Sequence, residues 1–197
     1  MALTLRTLLF SIFFILSSIN TKAQPRIGQS IKASIGFASS SSIYIENYGN
    51  QDEIDVMGSG LYLQAEYIIG IKSWFGVRPY IGMISTKVDK NQPLLYQPQY
   101  KVTTQALLVG GKIRFCAPIP WIAPFIEGGI GASIGSFQTF TPSSNFNKKD
   151  ILLHIPLSIG LAIGKKHNVE LAISGYLHPA AEQSSGIFAA GLSFPID

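Results

Sequence analysis

The sequence predicts an all-β protein, an eight-stranded antiparallel up-and-down transmembrane β-barrel preceded by a cleaved signal peptide. First, segment 151–164 alternates between large aliphatic and small or polar side chains. It is longer than the roughly 9 to 11 residues with which a tilted strand crosses a bilayer. Second, eight such runs follow one another, and their connections largely alternate between short and long. Third, the face opposite the apolar one carries charges, as expected when lipid covers the outside of a barrel.

The N-terminus has the features of a secretory signal peptide over residues 1–23. Arg6 precedes an apolar stretch at 8–19, and small residues follow before position 24. Serine and asparagine residues interrupt the stretch, which disfavours the alternative of an N-terminal anchor helix. We therefore expect one exported domain, residues 24–197. Its net charge falls from +4 to +2 because Arg6 and Lys22 are removed.

The composition excludes several classes of protein. With 47% hydrophobic and 13% charged residues, the chain is too apolar to be disordered and unusually poor in charge for a soluble domain. No basic patch with interleaved aromatic residues is present, so no nucleic-acid partner is expected. Cys116 is the only cysteine, which excludes an internal disulfide and a cysteine-cluster metal site. After the signal peptide no apolar run approaches 18 residues, so no transmembrane helix is predicted.

Eight period-two runs, bounded by clusters of Gly, Pro, Asn, Asp and Ser, mark the strands. They span residues 30–39, 61–72, 75–88, 101–116, 122–140, 151–164, 169–179 and 187–196. The short connections are 73–74, 117–121 and 165–168, the long ones are 40–60, 89–100 and 141–150, and 180–186 is intermediate. Outer-membrane barrels have short periplasmic turns and longer external loops, so both termini are expected in the periplasm.

The strands divide into an apolar face and a polar or small face. In strand 151–164, for example, Ile155 and Leu157 lie opposite Ser158 and Gly160. A soluble barrel of the lipocalin kind would turn its apolar face inward, which makes it the least favoured alternative. The polar faces collect both signs of charge: Lys32, Glu66, Lys72, Arg78, Lys112, Arg114, Glu127 and Glu170. Because a closed eight-stranded interior has little room beyond its side chains, we expect a filled, salt-bridged lumen rather than a pore.

The aromatic residues predict two girdles at the membrane interfaces. Trp74 and Trp121 fall in short turns. A second group lies in or near the long loops: Tyr44, Tyr48, Tyr62, Tyr96, Tyr100 and Phe140. The alternative is that aromatic residues are simply scattered near the loops.

The run Pro124-Phe125-Ile126-Glu127-Gly128-Gly129-Ile130-Gly131 resembles the outer-membrane lipid A deacylases of the PagL type, with similarity over residues 122–196. The resemblance implies an eight-stranded barrel with a His-x-Ser-Asn catalytic motif on its penultimate strand and an acidic partner on the last strand. The matching positions hold Ser174, Tyr176 and Phe188 instead. We therefore expect the fold without the family's catalytic site.

Two histidines are expected to meet on neighbouring strands. If opposed residue numbers in the sixth and seventh strands sum to about 332, His154 lies beside His178 with Cβ atoms about 5 Å apart. A structural zinc site takes four ligands and no third is evident, so a hydrogen-bonded pair near the outer rim is favoured over a metal site. Ser174 and His178 lie roughly 13 Å apart along one strand, too far for a nucleophile and its base. We predict no catalytic, cofactor or metal site.

The sequence favours a non-enzymatic small outer-membrane barrel with a structural or surface-interaction role through its long extracellular loops. We expect a monomer that contacts outer-membrane lipid and lipopolysaccharide. The first loop carries carboxylates that suit divalent cations bridging lipopolysaccharide, although a solvated loop is the simpler interpretation: Glu46, Asp52, Glu53 and Asp55. The alternatives are a lipid A esterase with a rearranged site and a narrow channel. The loop ligand is not specified.

Overall fold

The computed structural model describes residues 27–42, 57–88, 101–140 and 145–196. The strands are β1 (Gly28–Ser42), β2 (Met57–Lys72), β3 (Phe75–Val88), β4 (Lys101–Cys116), β5 (Ile122–Phe140), β6 (Asn145–Ile163), β7 (Val169–His178) and β8 (Gln183–Ile196). One 3-10 turn, Pro179–Ala181, precedes β8. Each strand pairs antiparallel with the next and β8 pairs with β1, so the sheet closes into a barrel. The predicted fold class is confirmed.

The short turns at 73–74, 117–121 and 164–168 lie at one end of the barrel, together with the start of β1 and the end of β8. We call this the turn end. The opposite end, where residues 43–56, 89–100 and 141–144 connect the strands, is the loop end. Among the described residues, no helix is long and apolar enough to cross a membrane. The predicted signal peptide and the acidic residues of the first loop lie outside the described ranges.

Several strands extend further toward the loop end than the sequence predicts. Strand β6 begins at Asn145, six residues before the predicted start, and its extension pairs with the end of β5. Lys148, Lys149 and Asp150 are exposed there. Because these polar residues interrupt the apolar alternation, the sequence pattern ends at Ile151, whereas the backbone ladder continues. Strand β7 ends one residue early, at His178, since Pro179 starts the 3-10 turn.

The prediction that the apolar face of each strand points outward and the polar face points into the lumen is confirmed. In β6, Leu157 is 52% exposed on the outer face, whereas Ser158 is 5% exposed in the lumen. Large apolar side chains point outward on every strand of the barrel: Ile35, Ile69, Ile81, Val109, Ile130, Leu157, Ile173 and Leu192 are examples. The outer surface therefore has the apolar belt that a lipid environment requires.

The aromatic residues follow the prediction only in part. Trp74 and Trp121 are exposed at the turn end, and Trp74 stacks on Phe115 with ring centroids 6.2 Å apart. The assignment of Tyr62 to a loop-side girdle is wrong, because its side chain points into the lumen and is 3% exposed. Tyr62 shares the inward face of β2 with Gln64 and Glu66, so it belongs to the lumen rather than to an interface. The other predicted girdle residues, apart from Phe140, lie outside the described ranges.

Candidate functional site

The lumen contains a cluster of buried charges, which we call the ionic cluster. It contains four cations and three carboxylates from β1, β2, β3, β4, β5 and β7: Lys32, Glu66, Arg78, Lys112, Arg114, Glu127 and Glu170. None of these side chains is more than 7% exposed. The predicted salt-bridged lumen is therefore present. Lys72, which the sequence places on the same face, is instead exposed at the turn end, after a register shift between Gly70 and Lys72.

Each carboxylate of the ionic cluster faces three cations. Glu66 lies 2.7 Å from Lys32, 3.1 Å from Arg78 and 2.5 Å from Lys112. Glu170 lies 2.9 Å from Lys32, 3.2 Å from Arg78 and 2.6 Å from Arg114.

Glu127 completes the set with Arg78, Lys112 and Arg114 at 3.4, 2.9 and 3.2 Å. The result is nine ion pairs, of which some join neighbouring strands, as Lys32 and Glu66 do, and others cross the lumen, as Arg78 and Glu170 do. Buried charges are tolerated only when they are paired in this way, so the cluster is one cooperative unit rather than a set of separate bridges.

The ionic cluster leaves almost no free space in the centre of the barrel. The cavity beside it, bordered by Tyr62 and Ala189, measures about 10 Å³. A single water molecule needs about 10 to 15 Å³ by the same measure. At this level the side chains of the described strands therefore fill the lumen.

A tyrosine and glutamine layer lies against the ionic cluster. The Tyr62 and Tyr176 hydroxyls lie 3.0 Å apart, and each donates to Gln64 Oε1 at 2.5 Å. The Gln64 amide in turn donates to Glu66. This layer joins the charged centre to the polar residues beyond it.

The two predicted histidines meet in the next layer, bridged by a serine. The β6 to β7 register follows the predicted sum of 332, with Ile155 opposite Leu177. The His154 and His178 ring centroids lie 5.7 Å apart. Ser133 Oγ lies 2.7 Å from His154 Nδ1 and 2.8 Å from His178 Nε2. The expected pair therefore exists, but its link is indirect.

The chain of hydrogen bonds continues to Tyr80, whose hydroxyl lies 2.5 Å from His154 Nε2. Gly131 makes room for this contact, since a Cβ at that position would lie 2.5 Å from His154 Nε2 and 2.6 Å from the Tyr80 hydroxyl. Ser133 and both histidines have no exposed surface. The arrangement brings a serine within reach of two bases, but inside a packed core rather than in a cleft that a substrate enters.

Hydroxyl and amide groups fill the loop end of the described lumen. Gln183 accepts from Thr104 and donates to Thr139, both at 2.7 Å, and Thr139 donates to the Ala181 carbonyl at 2.7 Å. Ser40 lies 2.9 Å from Ser185 across the β1 to β8 seam. The 3-10 turn is thereby tied to the barrel wall.

The positions that correspond to the deacylase catalytic residues do not converge. Ser174 lies in the lumen, 2.8 Å from the Ser158 hydroxyl, and Tyr176 belongs to the tyrosine layer. Phe188 is on the opposite, outer face and is 56% exposed. Among the described residues, no group of three His, Cys, Asp or Glu side chains is arranged to hold a metal ion.

The sequence pattern does not predict the roles of Ser133 and Tyr80. For Ser133, the missing information was the β5 to β6 register, in which Gly131 lies opposite His154. That register places Ser133 diagonally next to His154 on the same face. The register was not apparent because the connection after β5 is shorter than the hydrophobic pattern indicates.

Comparisons with solved structures find other small outer-membrane barrels. Neisserial surface protein A is 13% identical, with a TM-score of 0.52 over 86% of this chain and 97% of that one. The attachment invasion locus protein Ail of Yersinia pestis is 17% identical, with a TM-score of 0.46 over 86% and 100%. The outer-membrane enzyme PagL is 15% identical, with a TM-score of 0.46 over 85% and 99%.

No protein-family model and no curated protein sequence matches the chain. At these identities the structural likeness concerns the fold alone. The chain has the eight-stranded fold of small outer-membrane β-barrels.

Proposed function

We propose that this protein is a non-enzymatic barrel of the bacterial outer membrane. Its lumen is a closed structural core, and its long loops carry interactions at the cell surface. The observation that carries the proposal is the ionic cluster, whose nine ion pairs and adjoining cavity of only about 10 Å³ leave no room for a solute to pass through the centre of the barrel. The apolar belt supports membrane insertion, with lipid and lipopolysaccharide as the surrounding partners.

The orientation and export route belong to the same proposal. The short turns face the periplasm and the loop end faces outward, as in bacterial barrels generally. Residues 1–23 direct export and are removed, which leaves a monomeric domain that starts at Gln24. The mass of the protein extracted from outer-membrane fractions tests this cleavage directly. A chain that retains residue 1, or that stays in the soluble fraction, contradicts it.

Membrane insertion is tested with two adjacent positions of β6 on opposite faces. In a Cys116→Ala background, single cysteines replace Leu157, which is 52% exposed, or Ser158, which is 5% exposed. We expect a lipid-soluble maleimide to label position 157 and to leave position 158 unlabelled. Labelling of position 157 by a membrane-impermeant, water-soluble reagent in intact membranes would contradict the lipid-facing assignment.

The closed lumen is tested by conductance. Purified barrel inserted into planar bilayers is expected to give no single-channel steps, while an open porin in the same bilayers serves as the positive control. Reproducible steps would favour the narrow-channel alternative.

The non-enzymatic role is tested on lipid A. Mass spectra of lipid A from cells with and without the barrel are expected to be the same. Ser133→Ala is the matched variant, because Ser133 is the serine found within hydrogen-bond reach of histidine. Loss of an acyl chain from lipid A that requires Ser133 would refute the proposal in favour of an esterase.

A further inference from the structure

A second cavity lies at the turn end of the lumen, on the far side of the ionic cluster from the histidines. Its volume is about 80 Å³, several times the 10 to 15 Å³ that one water molecule needs. Its walls carry four cationic side chains, Lys72, Arg78, Arg114 and Lys166, together with polar side chains that include His167 and Ser193. Glu170 is the one carboxylate among the described lining residues, and Lys32, Arg78 and Arg114 already engage it.

Several buried polar atoms of these lining residues have no hydrogen-bond partner within the described part of the chain. They are Arg114 Nη2, Arg78 Nε, His167 Nδ1 and Ser193 Oγ. Arg78 and Arg114 are only 4% and 6% exposed, so solvent at the surface does not satisfy them. An unpaired buried polar atom is costly, and four residues with such atoms line one cavity.

The orientation of Arg114 and His167 is set by their other contacts. The Arg114 guanidinium stacks on the Phe125 ring at 3.3 Å, while its Nη1 and Nε face Glu170 and Glu127. That leaves Nη2 available. His167 Nε2 donates to the Ile119 carbonyl at 3.0 Å, so Nδ1 of the neutral ring remains an acceptor for a hydroxyl group.

The charge balance points to an anion. The ionic cluster holds four cations against three carboxylates, so one buried positive charge is uncompensated within the cluster. Lys72 and Lys166 add two more positive charges at the mouth of the cavity. A buried excess of charge is unfavourable unless a counter-charge accompanies it.

We propose that the turn-end cavity binds a phosphate group, held by Arg78, Arg114 and Ser193 and attracted by Lys72 and Lys166. Guanidinium groups recognise oxyanions through strong, charge-assisted hydrogen bonds, and a serine hydroxyl adds a neutral donor. The cavity is separate from the loops and from the histidine layer, so the inference goes beyond the proposed function. The phosphate belongs either to a free ion or to the headgroup of an anionic phospholipid.

The free ion is tested by calorimetric titration of the purified barrel with inorganic phosphate in zwitterionic micelles. The test uses variants outside the ionic cluster, which should fold. Ser193→Ala removes one hydrogen bond to the anion and is expected to weaken binding about ten-fold. The double variant Lys72→Gln with Lys166→Gln is expected to weaken phosphate binding more at low salt than at high salt. Lys148→Gln with Lys149→Gln, which removes the same charge at the loop end, is expected to leave the affinity unchanged.

The lipid source is tested in nanodiscs that contain phosphatidylglycerol in phosphatidylcholine. Native mass spectrometry of the released barrel measures the lipid it retains. Retention of phosphatidylglycerol that falls in the Ser193 and paired-lysine variants, without binding of inorganic phosphate, assigns the site to a headgroup. If neither probe binds, or if all variants and the loop-end control behave alike, the phosphate site does not exist.

Discussion

Replacing Glu66 by glutamine tests whether the ionic cluster stabilises the barrel as one unit. The substitution keeps the size of the side chain but removes the negative charge that faces Lys32, Arg78 and Lys112. Within the cluster the excess of buried positive charge then rises from one to two. We expect a large loss of stability with little change in the shape of the core.

The magnitude follows from the burial of Glu66, whose side chain is 1% exposed. Removing one partner of a buried ion pair costs about 3 to 5 kcal/mol, because the remaining charge is left unpaired. Here the other two carboxylates still engage all three cations, which places the expected loss at the lower end, about 3 kcal/mol. That is a substantial part of the roughly 5 to 15 kcal/mol by which folded proteins are stable.

The assay is reversible urea unfolding of the purified barrel in detergent micelles, followed by tryptophan fluorescence. Asp150→Asn is the matched control, since it removes one negative charge from an exposed position of β6. It is expected to change the free energy of unfolding by less than about 0.5 kcal/mol. If Glu66→Gln and Asp150→Asn have the same small effect, the cluster is not a source of stability.

A double-mutant cycle separates pairing from packing. Lys112→Met removes a cation that contacts both Glu66 and Glu127. The double variant with Glu66→Gln should lose less stability than the two single variants added together, by about 1 kcal/mol or more. Simple additivity would mean that the two side chains do not interact.

Three further substitutions probe the outer face and the histidine layer. Leu157→Arg places a charge at the centre of the lipid-facing run of β6 and is expected to cost about 2 to 4 kcal/mol in lipid vesicles, measured by urea unfolding. Gly131→Ala puts a Cβ 2.5 Å from His154 Nε2 and should lower the urea midpoint and broaden the histidine NMR signals. Ser133→Ala leaves His154 Nδ1 and a nitrogen of the other histidine without their shared partner, and should cost about 1 to 3 kcal/mol.

Each of these three predictions has its own control. Leu157→Ala keeps the outer face uncharged and should cost much less than Leu157→Arg. Gly111→Ala adds the same methyl group where nothing lies within 4 Å, so it should leave the urea midpoint unchanged. Ser184→Ala removes a half-buried hydroxyl that contacts Ser41 rather than a histidine. Equal effects of a variant and its control would contradict the corresponding argument.

The histidine layer shows which contacts the sequence pattern predicts and which it does not. The turn between β6 and β7 predicts the pairing sum of 332, and with it the proximity of His154 and His178. The bridging Ser133 belongs to β5. The register of β5 with β6 depends on the length of their connection, which the hydrophobic pattern overestimates. A local turn therefore predicts one neighbour, but the third partner requires the next register as well.

Tyr62 shows a second limit. Its position near a predicted long loop suggests a membrane interface, but Tyr62 lies on the same face of β2 as Gln64 and Glu66, and its hydroxyl meets that of Tyr176 in the lumen. The period of two, rather than proximity to a loop, decides the face on which such a side chain lies.

By itself, the alternation of side chains determined the strand number, the apolar outer face and, except for Lys72, which charged residues enter the lumen, because a strand's two faces follow from a period of two. Only the tertiary structure decided which charges meet. Lys32 of β1 contacts Glu170 of β7, 138 residues away, and Arg78 of β3 reaches all three carboxylates. These contacts depend on the closure and stagger of the barrel, which place side chains of distant strands at the same height. A periodic sequence specifies the face of the strand on which each residue lies, but not the position of that residue along the barrel axis.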